Sequence, residues 1–233
     1  MNIGLFGYGK MGKMIEQIAQ ERGHNIIARV DVDTTEIPYG SMDVAIDFST
    51  PDAAFANITN CFRNGVPVIS GTTGWLDKFN EAKSICKAEK SAFIYASNFS
   101  LGVNVFFELN AYLAKMMKGL DQYKVAMEEI HHTQKLDAPS GTAITLAEGI
   151  ISNSGYDNWK LDEADAYTIP IHSKREGTVP GTHTISYGSK VDDIEIKHTA
   201  HNREGFALGA VIAAEWIREK KGIFSMKDVL NLT

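Results

Sequence analysis

Cysteine is scarce. Cys61 and Cys86 are the only two among 233 residues, and neither has metal-ligand spacing around it. That argues against a disulfide framework or a cysteine-bound metal, and it fits a reducing compartment. Long apolar runs are missing as well, and none reaches the roughly 20 residues needed to cross a bilayer. The first residues lack the basic stretch and apolar core of a signal peptide, because Gly4, Gly7 and Gly9 interrupt them. The expected location is cytoplasmic, with no membrane partner. A basic excess is also lacking: 23 Lys and Arg stand against 29 Asp and Glu, a net charge of −6. This speaks against nonspecific nucleic-acid binding. A small anionic substrate would therefore need a local cluster of cations. No repeat or low-complexity tract is present, and the length suits one large domain or two modest ones.

What is there begins with an alternation of strands and helices. Residues 2–6, 25–31, 42–48, 65–70 and 91–97 read as short, almost wholly apolar strands. Helical patterns fill 10–22, 51–64 and 76–90 between them; in the first, Met11, Met14, Ile15, Ile18 and Ala19 form one stripe. Buried strands alternating with helices predict a parallel sheet covered on both faces. After residue 101 the pattern changes. A helix spans about 103–117, the stretch from Tyr123 alternates in places, and a helix follows Ser140. Strands are predicted at 167–173, 182–189 and 192–200 without helices between them, which points to an antiparallel or mixed sheet. Residues 152–165 read as a polar surface loop. The apolar helix at about 205–220 is expected to return to the first domain. The fold class is thus α/β: a Rossmann-type parallel-sheet domain, residues 1–101 plus 205–233, and a second α+β domain with a mixed sheet, residues 102–204.

Gly7-Tyr8-Gly9-Lys10-Met11-Gly12 is a G-x-G-x-x-G run placed after a strand and opening a helix. Gly7 permits the tight turn, Gly9 lets a pyrophosphate approach the backbone, and Gly12 lets helix and strand pack closely. The helix N-terminus then faces the anion. Asp31, roughly 20 residues on, ends the second strand where an acid can bind ribose hydroxyls. Asp33 competes with it for that task, and the same turn also serves α/β proteins that bind no nucleotide. Val32 and Asp33 follow Asp31, so a 2′-phosphate would meet negative charge. NADH is favoured, with NADPH possible through Lys10 or Arg29. The stretches 47–51, 71–74 and 97–100 fall at the carboxyl ends of strands, where ligands bind in open α/β sheets. Each also reads as plain turn chemistry, with Ser49 or Thr50 as a helix cap.

The segment Glu128–Ala143, EEIHHTQKLDAPSGTA, concentrates proton-handling and cationic groups. In an extended strand Val125, Met127, Glu129 and His131 share a face. A carboxylate at Glu129 would raise the His131 pKa and keep the ring a competent acid. Lys135 adds a cation. Pro139 disfavours helix at Ala138, and Ser140 is a natural N-cap. The N–H groups of Gly141 and Thr142 then open a helix, a ready site for a carboxylate. Together these suit a dicarboxylate trap. The surface or packed histidine pair is the plainer reading. The distant His172, His183, His198 and His201 give no recognisable zinc spacing, so no metal is expected.

The run Glu129–Thr142, E-x-H-H-x-x-K-x-D-A-P-S-G-T, resembles the dihydrodipicolinate reductase family of lysine biosynthesis. GYGKMG, AIDFSTP, GTTG, SNFSLGVNV, the Arg175-Glu176-Gly177 turn and the closing FALGA helix extend the likeness over nearly the whole chain. The resemblance implies nicotinamide-dependent reduction of 4-hydroxy-tetrahydrodipicolinate, via dihydrodipicolinate, to tetrahydrodipicolinate. It implies that His131 is the acid and that Lys135 assists it. Substrate carboxylates would be held by His132, Lys135, Ser140, Gly141 and Thr142. The implied cofactor contacts are Gly7, Gly9, Lys10, Met11, Gly12, Asp31, Phe48, Ser49, Gly71, Thr72, Thr73, Ser97, Asn98 and Phe99. It also implies a homotetramer built through the second domain's sheet. The rival expectations are an aspartate or other amino-acid dehydrogenase on the same scaffold, and a noncatalytic NAD(H)-sensing module.

Overall fold

The computed structural model of the protein describes residues 1–232. The described residues divide into two compact units, 1–101 with 204–232, and 102–203. In the first unit, β1 (Asn2–Phe6), β2 (Asn25–Val30), β3 (Val44–Asp47), β4 (Val68–Ser70), β5 (Ala92–Tyr95) and β11 (Gly222–Phe224) form one sheet in the order β11-β5-β4-β3-β1-β2. Every neighbouring pair in it is parallel. Alternate strand residues feed two cores, as the side-chain period of two requires. Ile3, Leu5, Val44, Ile46, Ile69 and Ile94 pack with α1 (Lys10–Glu21), α6 (Glu204–Ile217) and α7 (Met226–Leu230). Phe6, Ala45, Val68 and Phe93 pack on the other face with α2 (Pro51–Arg63) and α3 (Phe79–Ala88).

The strand order sets the site. β2 lies on one side of β1 and β3 on the other, so chain connections diverge at the carboxyl ends of β1 and β3. Ligands of open α/β sheets bind at such a switch point. Gly7 follows β1 and Phe48 follows β3 there.

In the second unit, β6 (Lys124–His131), β7 (Asn158–Leu161), β8 (Thr168–Arg175), β9 (Gly181–Gly188) and β10 (Asp193–Ala200) pair in the order β10-β9-β6-β8-β7. β6 runs antiparallel to β9 and parallel to β8, so the sheet is mixed. Val125 and Met127 of β6, Ile169 and Ile171 of β8, and Ile185 and Tyr187 of β9 form a core with α4 (Leu101–Met117) and α5 (Gly141–Ile151). No helix among the described residues is long and apolar enough to cross a membrane.

Three elements depart from the sequence reading. The supposed loop at 152–165 contains β7, an edge strand of four mostly exposed residues. An edge strand with one face in water carries little apolar signal, and only Trp159 of β7 joins the core. The strand β11 and the short α7 went unpredicted. β11 has three residues and owes its order to pairing with β5 rather than to its own pattern.

Candidate active site

At the nucleotide end, Gly7 has φ +87°, a left-handed backbone that a side chain would strain. A Cβ there would come within 2.2 Å of the Phe48 carbonyl oxygen, and one on Gly12 within 2.3 Å of the Gly7 carbonyl oxygen. Turn, helix and β3 loop are therefore packed to the limit of glycine. A Cβ on Gly9 would meet nothing within 4 Å, and no side chain caps α1. The backbone at Gly9, Lys10 and Met11 thus borders open space at an uncapped helix N-terminus. That is the cradle a pyrophosphate needs, so the residues present fit a nicotinamide dinucleotide.

The loops beyond β3 and β4 are tied together by Asp47, whose importance sequence reasoning missed. It is fully buried and accepts bonds from Ser49 Oγ at 2.6 Å, Thr72 Oγ1 at 2.8 Å and Ser70 Oγ at 2.9 Å. Burial raises its pKa despite these donors. Ser49 N also donates to Thr72 Oγ1, at 2.9 Å. The Ser49 and Thr72 hydroxyls therefore hold these loops in place. Thr50 occupies the N-cap of α2 but makes no side-chain cap bond. Gly71 leaves room for the Phe48 ring, which a Cβ would approach to 2.3 Å. Thr73 and Ser97 are exposed. The Asn98 side chain accepts from Ser100 N at 2.9 Å. The Phe99 ring is buried in the core, 5.8 Å from that of Phe48. Asp31 is exposed past the end of β2, its Oδ1 accepting from Val32 N at 2.9 Å.

In the second unit, the alternating pattern of β6 brings Val125, Met127, Glu129 and His131 to its buried face. The Glu129 carboxylate is inaccessible to solvent and heavily bonded. Ser140 N donates to both oxygens at 3.1 Å, Ser173 Oγ to Oε1 at 2.9 Å and Arg175 to Oε1 at 3.2 Å. Its Oε2 lies 3.5 Å from His131 Nδ1 and 3.7 Å from His183 Nε2. Burial works to raise the Glu129 pKa, but the donors from His183, Ser140 and Ser173 outweigh it and hold the group far below the usual carboxylate range.

Glu129 does pull the His131 pKa upward as expected, but the net shift runs the other way. The His131 pKa is lowered to about 4: desolvation by burial dominates, Glu129 pulls the other way, and His183, Lys135 and Arg175 add to the lowering. The resting ring is neutral at pH 7. His131 Nδ1 is buried without a hydrogen-bond partner.

Ser140 caps α5 as the sequence indicates, its Oγ accepting from Ala143 N at 3.2 Å. The same Oγ lies 3.2 Å from His183 Nε2. Gly141 is exposed, while Thr142 and His132 are half-buried. Lys135 is paired with Asp137, 2.8 Å from each carboxylate oxygen. Arg175 donates to the Asp137 carbonyl at 2.6 Å and bridges that loop to Glu129. His183, Ser173 and Arg175 were not singled out as partners of Glu129. They join the site through β8 and β9, which only sheet pairing brings beside β6.

Glu129, His131 and His183 offer atoms within 4.8 Å of one another, the residue types of a cation site. Arg175 already takes one Glu129 oxygen, and burial together with His183, Lys135 and Arg175 disfavours positive charge at His131, so a metal cation would meet the same opposition.

Comparison with known proteins decides the family. The model described as dihydrodipicolinate reductase, N-terminus, matches residues 1–99, and that described as dihydrodipicolinate reductase, C-terminus, matches residues 102–230. The chain belongs to the dihydrodipicolinate reductase family. A 4-hydroxy-tetrahydrodipicolinate reductase from Christiangramia forsetii is 62% identical, covering 99% of this chain and 98% of the relative. One from Thermosipho africanus is 36% identical over the same shares. Among solved structures, dipicolinate-bound dihydrodipicolinate reductase from Paenisporosarcina sp. TG-14 has a TM-score of 0.76 at 23% identity, covering 97% of each chain. Aspartate dehydrogenase from Thermotoga maritima has a TM-score of 0.51 at 16% identity, covering 96% of this chain and 99% of that one. These two likenesses speak for the fold alone. As a family member the chain is a nicotinamide-dependent oxidoreductase.

Proposed function

We propose that the chain reduces 4-hydroxy-tetrahydrodipicolinate, by way of dihydrodipicolinate, to tetrahydrodipicolinate. This is the reduction step of the diaminopimelate route to lysine. One observation supports the site assignment above others: the Glu129–Thr142 segment gathers a buried imidazole, a lysine and a helix N-terminus within one short stretch. The substrate is a small cyclic dicarboxylate, and the Paenisporosarcina reductase carries dipicolinate, a ring of the same class.

The first unit holds the dinucleotide. The Gly7–Gly12 turn receives its pyrophosphate, Asp31 its ribose, and the loops at Phe48–Ser49, Gly71–Thr73 and Ser97–Phe99 its nicotinamide half. NADH is the preferred form. When bound, it supplies hydride to the ring of the substrate. The second unit holds that ring. Gly141 and Thr142 N–H groups at the start of α5 take one carboxylate, with Ser140 fixing the cap. His132 and Lys135 take the other, Lys135 exchanging Asp137 for substrate. A dianion beside His131 favours its charged form, so substrate binding loads the acid that then protonates the ring. The same unit assembles a homotetramer through its sheet, and the buried free thiols of Cys61 and Cys86 suit the cytoplasm.

The test is to generate the substrate in situ from pyruvate and aspartate semialdehyde and follow NADH absorbance, with NADPH in parallel. NADH consumption that depends on both precursors is expected. No turnover with either nucleotide, or faster turnover with oxaloacetate and ammonia, would overturn the reading.

A further inference from the structure

From Val30 to Phe62 the chain contains neither Lys nor Arg, so Arg29 is the nearest cation in sequence to Asp31. A 2′-phosphate on the ribose would need such a cation, since Asp31, Asp33 and Glu36 are all acidic. Arg29 is engaged elsewhere. Its Nε donates to Glu16 Oε2 at 2.9 Å, and its terminal nitrogen donates to Glu16 Oε1, a two-pronged pair. The guanidinium also lies over the Tyr8 ring, 5.7 Å from the centroid, and the Tyr8 hydroxyl donates to the same Glu16 carboxylate. Glu16 is buried on α1, and Gln20 donates to it as well, at 3.0 Å. Each charge supports the other: the Arg29 bond holds the Glu16 pKa down, and Glu16 raises that of Arg29. Lys10, the other cation considered for this task, borders a surface depression with Lys13, Met14, Gln17 and Glu21, and Lys13 Nζ lies 5.9 Å from the Tyr8 ring centroid.

We propose that Glu16 determines nucleotide choice, by clamping Arg29 against Tyr8 and so withholding from a 2′-phosphate the cation adjoining the ribose acid. This rests on reading the glycine cradle as the nucleotide site. The clamp makes the chain NADH-selective through a residue that touches neither ribose nor phosphate. Glu16 is thus a positioning residue, and releasing Arg29 opens the site to NADPH.

The experiment measures NADH and NADPH dissociation constants by nucleotide fluorescence, together with kcat/KM for each. It uses the full-length wild type, Glu16→Gln, Arg29→Ala and the double variant. The wild type should bind NADH more tightly than NADPH. Glu16→Gln should shift the NADPH:NADH binding ratio toward NADPH about tenfold, the scale of one charge-assisted contact. Adding Arg29→Ala to Glu16→Gln should restore the original ratio. Arg29→Ala alone should leave the ratio unchanged, which keeps a test in hand if Glu16→Gln folds poorly. An unchanged ratio in folded Glu16→Gln would overturn the proposal. So would selective loss of NADPH binding in Arg29→Ala, or a wild type that prefers NADPH. A wild type that binds neither nucleotide would instead overturn the cradle reading, and the clamp with it.

Discussion

In the proposed mechanism His131 is the proton donor, yet its resting ring carries no charge at pH 7. Burial lowers its pKa to about 4, and Lys135 and Arg175 reinforce the effect. A catalytic acid of this kind must be charged by its substrate, so dicarboxylate binding is expected to take up a proton between pH 5 and about 7. Calorimetry of dipicolinate binding in buffers of differing ionisation enthalpy will read this, and His131→Gln should abolish the uptake. The same variant should lower kcat roughly 100- to 1,000-fold, as expected for loss of a general acid, while NADH affinity stays within about twofold. The stability consequence has a definite sign. The folded-state pKa lies below the ordinary value of about 6.5, so between pH 6.5 and 4 the unfolded chain binds a proton that the folded chain refuses. Stability from this group is full above pH 6.5 and falls, by on the order of 2 kcal/mol, as the pH drops toward 4. Denaturant midpoints of His131→Gln should therefore decline less than wild type across that window. Glu129, with its depressed pKa, loses its contribution only below about pH 4.5, so the two groups separate.

In the proposed site, whole elements carry the binding. The start of α5 is fixed by Ser140, whose N–H goes to Glu129, whose hydroxyl accepts from Ala143 N and whose Oγ also meets His183. Ser140→Ala removes the cap and leaves His183 without this partner. The expected cost is about 1–2 kcal/mol of stability. It should come with a several-fold rise in substrate KM and little change in NADH affinity, measured by denaturant unfolding and steady-state kinetics. An unchanged KM would detach the α5 terminus from carboxylate binding. The β3 and β4 loops depend similarly on Asp47. The sequence shows only an acid closing an apolar strand. Its three hydroxyl partners come from residues 49, 70 and 72; Ser49 is local, and the parallel pairing of β3 with β4 brings the other two beside it.

At the scale of the molecule, the first unit is assembled from both ends of the chain. α6 contributes Ala207, Ala210, Val211, Ala213, Ala214 and Ile217 to the core that faces β1, β3, β4 and β5, and β11 extends the sheet beside β5. A fragment of residues 1–101 should therefore lack cooperative thermal unfolding and fail to bind NADH. Joining residues 204–233 to it through a flexible linker should restore both. Cooperative melting of residues 1–101 alone would show that the C-terminal helix is dispensable to this core.

The sequence by itself determined the features with local causes. Period-two and helical apolar patterns gave the strands and helices, glycines the turn at Gly7–Gly12, and Ser140 with Pro139 the start of α5. Alternation along β6 placed Glu129 and His131 on one face. Tertiary structure alone decided what depends on distant partners. It brought His183, Ser173 and Arg175 to Glu129, engaged Arg29 with Glu16 and gave β7 and β11 their order. It also reversed the expected shift of the His131 pKa. A carboxylate neighbour is visible in the chain, whereas desolvation is a property of everything packed around the ring, and here desolvation is the larger effect.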